Sequence, residues 1–280
     1  MTFSDISSVV FSGGGGRCIW QSGFWEVVSQ HQDLNPGVFA CASAGATIAC
    51  ITLAGNAAKG LEYFMTVTRK NRRNVHPGNL FKKDPVFPHY GIYRQAILDI
   101  FDDAALKRLH DGPEIRVLIS RPPRFLGARS GTVVGIATYA LEKKLVYPMH
   151  PRWASRIGFS STVIKVSDCV TVEALAELLL QSSCTPPFVP VLKRDGRPTL
   201  DGGLIDNVPA GLLDDQSGEK LILLSRQYPE DRVPVIPGRH YIQPSEPIAL
   251  DKWDYTNPEG LQQAYELGRK DGEMYINSHE

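Results

Sequence analysis

Four consecutive glycines, Gly13 to Gly16, stand between a short apolar, β-branched run and a segment with helical spacing. The run is Ile6 to Phe11. The segment is Ile19 to Gln32, with apolar residues at Ile19, Trp20, Phe24, Val27 and Val28. This order predicts a strand, a tight loop and a helix. Glycines in series are conformationally costly, so they call for a reason in the backbone. The loop offers several amide N–H groups, and the helix after it adds its positive end, a combination that binds anions. A dinucleotide fingerprint needs glycine at the last position of GxGxxG, which falls here on Cys18 or Ile19. A P-loop needs Lys followed by Ser or Thr, and that pair is missing. An oxyanion hole, whose anion exists only in the transition state, remains as the functional alternative to a merely tight turn.

The alternation of strands and helices continues. Val38 to Ala42 reads as a second strand and Ala44 to Ala54 as a helix that is apolar all round, hence buried. Ile115 to Ser120 and Lys220 to Ser225 are further strand candidates, and Val172 to Gln181 is a helix candidate. Pro187 to Leu200 reads as a hairpin, with arms Phe188–Leu192 and Pro198–Leu200 around the turn pair Asp195-Gly196. Thr256-Asn257-Pro258-Glu259 carries helix-start chemistry for a C-terminal helix to about Ile276. Its face of Leu261, Ala264, Tyr265, Gly268 and Tyr275 is expected to pack on the sheet. The pattern predicts one α/β domain over residues 1–280, with a mainly parallel central sheet flanked by helices.

Two short segments carry chemistry. Cys41-Ala42-Ser43-Ala44-Gly45 joins the second strand to the buried helix, the setting of a nucleophile elbow. Small neighbours suit so sharp a turn, although Cys41 stands where the G-x-S-x-G pattern has glycine. Ser43 acting only as an N-cap is the alternative. Asp201-Gly202-Gly203 follows the hairpin. It reads either as a turn or as a carboxylate approached closely by other groups, which would serve as a general base.

Taken together, Gly13-Gly14-Gly15-Gly16-Arg17-Cys18, Cys41-Ala42-Ser43-Ala44-Gly45 and Asp201-Gly202-Gly203 resemble the ordered motifs of the patatin-like phospholipase family. The Ser- and Pro-rich stretch Gln181 to Pro190, with Asn207 and Pro209, fits as well. The resemblance spans about residues 6 to 210. It implies a three-layer α/β/α fold that a C-terminal strand and helix complete. It implies hydrolysis of lipid acyl esters by a Ser43–Asp201 dyad, with no metal or other cofactor. Gly14, Gly15 and Gly16 would form the oxyanion hole, with Gly13, Arg17, Gly45, Gly202 and Gly203 as supporting residues. Cys18 and Cys41 depart from the pattern, since the family has glycine at both. Arg17 would either hold the loop through backbone carbonyls or meet a phosphate. None of His31, His76, His89, His110, His150, His240 and His279 stands in a motif, so no catalytic histidine is assigned, although a triad needs its members to meet only in space.

Composition narrows the partners. With 30 basic and 30 acidic residues, the chain as a whole is not built for nucleic acid. The N-terminus lacks the pattern of a signal peptide, and no apolar run nears the ~20 residues needed to span a bilayer. Five scattered cysteines suggest buried free thiols in a reducing cytoplasm. Arg69-Lys70-Asn71-Arg72-Arg73 with Lys82-Lys83 is the most charged stretch; a solvated helix end is favoured over peripheral contact with anionic lipid. The rival readings are an acyltransferase using the same serine, a family member that binds lipid but turns over weakly, and a non-catalytic anion-binding module.

Overall fold

The apolar runs become neighbouring strands because each is apolar at successive positions and must be covered on both faces. The computed structural model describes residues 2–82, 84–146, 148–151 and 153–279. In chain order its elements are β1 (Ile6–Phe11), α1 (Ile19–Val28), β2 (Val38–Ala42), α2 (Ala44–Leu53), α3 (Ala57–Lys70), α4 (His89–Ile100), α5 (Asp103–Asp111) and β3 (Glu114–Arg121). Then follow α6 (Ala128–Leu145), α7 (Trp153–Arg156), β4 (Ser160–Lys165), α8 (Val172–Ser182), β5 (Leu192–Arg194), β6 (Arg197–Asp201), β7 (Glu219–Leu223), β8 (Arg239–Ile242) and α9 (Pro258–Asn277). Short 3-10 turns link several of them.

The strands form a mixed, mostly parallel sheet in the order β5-β6-β3-β2-β1-β7-β8, with β4 also on β3. The run from β3 through β2, β1 and β7 to β8 is parallel. β4 and β6 meet β3 antiparallel, and β5 meets β6 the same way. Alternate residues feed opposite faces. Val9, Phe11, Phe39, Leu221 and Leu223 join the larger core beneath α1, α2, α8 and their neighbours. Val10, Ala40 and Ile222 join a smaller core with Val208, Ala210 and Leu213.

The C-terminal helix begins as its sequence predicts, with the Asn257 side chain accepting from the Gly260 amide at 2.8 Å. Its apolar face, however, packs chiefly on α1 and α3 rather than directly on the sheet. Glycines make that approach close. A Cβ at Gly268 would lie 2.1 Å from the Trp20 carbonyl oxygen, and one at Gly23 would lie 2.1 Å from that of Tyr265. Trp20 Nε1 donates to the buried Asp271 across the same interface at 2.7 Å.

The hairpin is displaced from its expected first arm. β5 starts only at Leu192, because Phe188 and Val189 fold back on the Thr185 carbonyl. Asp195 and Gly196 both take positive φ, 52° and 72°, as the two-residue turn requires. α1 ends at Val28, four residues before the expected Gln32. Arg69, Lys70, Arg72, Arg73 and Lys82 are exposed, and Lys83 lies outside the described residues. Asn71 in that stretch ties the chain to the Tyr255 carbonyl at 2.9 Å. Among the described residues no helix is long and apolar enough to cross a membrane.

Candidate active site

β2 ends at Ala42 and α2 begins at Ala44, so Ser43 alone makes the turn, with φ 55° and ψ −139°. A non-glycine residue held there stores about 1–3 kcal/mol of strain, so its surroundings must over-determine it. They do. The Ser43 amide donates to Ser182 Oγ at 2.9 Å, and that hydroxyl donates onward to the Leu118 carbonyl at 2.7 Å. The Ser43 carbonyl accepts from Ala46 at 2.9 Å. Gly45 lies under the end of β1, where a Cβ would come within 2.4 Å of the Ser12 carbonyl oxygen. The glycine at position 45 is therefore dictated by the strand beneath the elbow.

Ser43 occupies the N-cap position of α2, yet its side chain makes no cap hydrogen bond. Its hydroxyl donates instead to Asp201 Oδ2 at 2.8 Å. The capping alternative is thereby excluded. The two residues are 158 positions apart in sequence and both buried.

Strand register explains how they meet. β2 pairs with β3 only as far as Ala42 opposite Leu118. On the same edge of β3, the next residue, Ile119, is paired with Asp201. The end of β6 thus takes over the strand position that β2 vacates when the chain turns at Ser43. Asp201 is anchored there through its amide to the Cys184 carbonyl at 2.8 Å, and through its carbonyl to the Ser120 hydroxyl at 2.9 Å. Its carboxylate is fully engaged. Oδ2 accepts from Ser43 and from Thr185 Oγ1 at 2.9 Å, and Oδ1 accepts from the Gly203 amide at 2.7 Å. Both following glycines are required by close approach. A Cβ at Gly202 would lie 2.3 Å from the Leu118 carbonyl oxygen, and one at Gly203 would lie 2.7 Å from Asn207 Oδ1.

The glycine loop is fixed at its two ends. The Gly13 amide donates to the Asn207 carbonyl at 2.8 Å, and the Gly13 carbonyl accepts from Asn207 Nδ2 at 2.7 Å and Ser225 Oγ at 2.6 Å. The Gly16 amide is spent on the Lys252 carbonyl at 3.2 Å. Among the described residues the amides of Gly14 and Gly15 have no protein acceptor. Of the expected trio, then, two amides are open and Gly16 is held. Gly13 packs close to the elbow, where an added Cβ would sit 3.1 Å from that of Ser43. Gly15 has φ +62°, and a Cβ on it would lie 2.1 Å from the Lys252 carbonyl oxygen. Arg17 donates to the Gly14 carbonyl at 3.4 Å, so it braces the loop through a carbonyl.

Cys41 and Cys18, the two departures from the expected motifs, are both fully buried. Cys41 belongs to the large core, and burial pushes its thiol far up. Cys18 directs its thiol to the Ser12 carbonyl at 3.4 Å, and burial pushes it up to about 12. All five cysteines are free and buried.

Ser43, Gly15 and Gly16 line a largely apolar cavity that runs past Ile48, Phe64 and Leu261. His89 lines it too. Its Nε2 is bonded to the Trp253 carbonyl at 2.9 Å, which makes that nitrogen the protonated one. Burial lowers its pKa from the ordinary value. Elsewhere His150 pairs with Asp206 and His240 with Glu219. Among the described residues no histidine is bonded to Ser43 or Asp201. Among them, too, no cluster of His, Cys, Asp or Glu could hold a metal ion.

The family model for patatin-like phospholipase matches residues 9–214, about three quarters of the chain. The chain belongs to the patatin-like phospholipase family. Among solved structures it is similar to VipD from Legionella pneumophila, at 12% identity and a TM-score of 0.47, over 98% of this chain and 67% of that one. No curated protein sequence matches significantly. Around the family motifs, Ser182, Thr185, Lys252 and Trp253 are contributors to the site that sequence reasoning left without a role. Ser182 and Thr185 lie in the Ser- and Pro-rich stretch, whose composition is the signal that could have marked them. Lys252 and Trp253 lie beyond the family match, in a segment without periodicity.

Proposed function

We propose that this patatin-like chain is a serine acyl-ester hydrolase acting on lipids, of phospholipase A, lysophospholipase or esterase type. The observation that carries the reading is the hydrogen bond from a strained, elbow-borne Ser43 to Asp201, with two loop amides that have no acceptor among the described residues. In the first half-reaction Ser43 Oγ attacks the ester carbonyl carbon as its proton passes to Asp201. The oxyanion accepts from the Gly14 and Gly15 amides, each worth about 3–4 kcal/mol in acyl transfer. Gly16 serves by closing the loop onto Lys252. Collapse expels the alcohol, which takes the proton from Asp201. Water then attacks the acyl-enzyme, Asp201 receives its proton, and the free acid leaves as Ser43 regains its hydrogen. The apolar cavity beside Ser43 suits the acyl chain. Five buried free thiols fit a cytoplasmic setting, and exposed Leu80 and Phe81 near Lys82 suit peripheral contact with a lipid surface.

A fluorophosphonate probe tests the reading directly. It should form one adduct, at Ser43, and none in a folded Ser43→Ala protein. A folded wild-type chain that stays unlabelled and cleaves no ester removes the hydrolase assignment.

The loop yields its own prediction. Gly15→Ala adds a Cβ in a backbone region that L residues rarely occupy and drives it into the Lys252 carbonyl. The melting temperature should fall by several degrees, and kcat by about a hundredfold or more as the donors move. A lowered melting temperature with unchanged kcat would show that the oxyanion is held elsewhere.

A further inference from the structure

The glycine loop has a second pocket, lined by Gly13 and Gly14 rather than by Gly15 and Gly16. Trp253 lines this pocket and the acyl cavity alike. Its walls bring together four basic side chains from four separate stretches of chain. Arg17 follows the loop, Lys143 comes from α6, Arg226 follows β7, and Lys252 precedes α9. All four are half-buried. Among the described residues no carboxylate forms an ion pair with Arg17, Lys143 or Lys252. The pocket's neutral donors are mostly committed. Asn207 and Ser225 donate to Gly13, and Thr185 donates to Asp201. Arg17, Lys143 and Lys252 therefore bring cationic donors to the pocket that no carboxylate among the described residues neutralises.

Like charges gathered in a partly dry pocket repel one another, and the repulsion is relieved by a bound anion. Lys143 registers it: burial first, then Arg226, Lys252 and Arg17, push its ammonium down to about 8. A single carboxylate would leave most of the charge on Arg17, Lys143 and Lys252 unanswered. A phosphate monoester, with a charge of about −1.5 to −2 at pH 7 and three strong acceptor oxygens, answers it far better. A choline or ethanolamine headgroup would bring its own cation into the same field.

We propose that this pocket binds a phosphate monoester, the headgroup of an acylated glycerol phosphate whose ester carbonyl lies at Ser43. The proposal rests on the acyl-hydrolase reading and gives that site a substrate class. The loop is the ridge between the two halves of the ligand, with the acyl chain beside Gly15 and Gly16 and the phosphate beside Gly13 and Gly14.

The test compares kcat/KM for three oleoyl esters: lysophosphatidate, lysophosphatidylcholine and monooleoylglycerol. It uses the wild-type chain, Lys143→Met and Lys143→Arg, each checked for folding by circular dichroism. The wild type should prefer lysophosphatidate over the other two by about ten- to a hundredfold. Lys143→Met should bring that ratio toward one, and Lys143→Arg should restore most of it. Equal rates on lysophosphatidate and monooleoylglycerol, or a ratio that Lys143→Met leaves unmoved, overturn the proposal.

Calorimetry on Ser43→Ala separates the sources of phosphate and needs no turnover. Glycerol 3-phosphate should bind, and the added Lys143→Met change should weaken it. Binding of inorganic phosphate without any preference for lysophosphatidate would mean a free-phosphate site and overturn the headgroup assignment. If no ester is cleaved and Ser43 resists labelling, the hydrolase reading fails. Calorimetry then still decides the pocket: heat that Lys143→Met abolishes sustains it, and absence of heat overturns it.

Discussion

Ser43→Ala should give a folded protein whose turnover of p-nitrophenyl butyrate falls by about five to six orders of magnitude, as in other serine hydrolases stripped of their nucleophile. The hydroxyl is the one group at the elbow positioned against the carboxylate, at 2.8 Å from Asp201 Oδ2. Its removal spares the backbone bonds that hold the turn, because Ser182 and Ala46 engage the Ser43 amide and carbonyl rather than its side chain. The cost in stability is that of one buried hydrogen bond, about 1 kcal/mol, since Thr185 and Gly203 still donate to the Asp201 carboxylate. The melting temperature should therefore shift by only a few degrees while activity disappears. A folded variant that turns over at the wild-type rate would remove Ser43 from the chemistry and send the search to another nucleophile.

How much of this was legible in the sequence depended on how local the cause was. β1 and the loop that follows it are legible because an apolar run ending in four glycines has few other structures to adopt. The elbow was legible as a place but not as a state. Cys41-Ala42-Ser43-Ala44-Gly45 fits an N-cap as readily as a nucleophile, and only the direction of the Ser43 hydroxyl separates the two. That direction is set by β6, which arrives 158 residues later in the chain. No local pattern encodes the register in which Asp201 follows Ala42 along β3. The same holds for Lys252, whose carbonyl holds the Gly16 amide and so removes one of three expected donors.

Other elements were missed for identifiable reasons. β4 has a mixed burial pattern, with exposed residues at Ser160, Ser161, Val163 and Lys165, and carries too weak an apolar signal to stand out. β8 is half-buried along its whole length. The capping residues declare the start of α9 but not the partner it packs against. The glycines at 23 and 268 declare a close backbone approach, yet only the fold reveals that each is the space the other helix needs. The basic pocket was invisible because Arg17, Lys143, Arg226 and Lys252 are scattered over more than 200 residues of a chain with no net charge.

Asp201→Asn distinguishes a dyad from a triad most sharply. Asparagine keeps the shape of the side chain but not its ability to accept at both ends. The Gly203 amide, at 2.7 Å from Oδ1, demands an acceptor, so the amide oxygen turns toward Gly203 and the NH2 group faces Ser43 and Thr185. Ser43 then faces a donor, and its proton has no base. Turnover should drop by about four orders of magnitude or more, and combining the change with Ser43→Ala should add little, because the two groups act as a unit. In a triad the proton would instead pass to an imidazole. Among the described residues His89 is the histidine that shares the Ser43 cavity, but its protonated Nε2 is committed to the Trp253 carbonyl. Glutamine at position 89 retains a donor for that carbonyl. His89→Gln should therefore remain orders of magnitude more active than Ser43→Ala on the same ester. A folded His89→Gln protein as inactive as Ser43→Ala, or an Asp201→Asn protein with near wild-type kcat, would replace the dyad with a histidine-based mechanism.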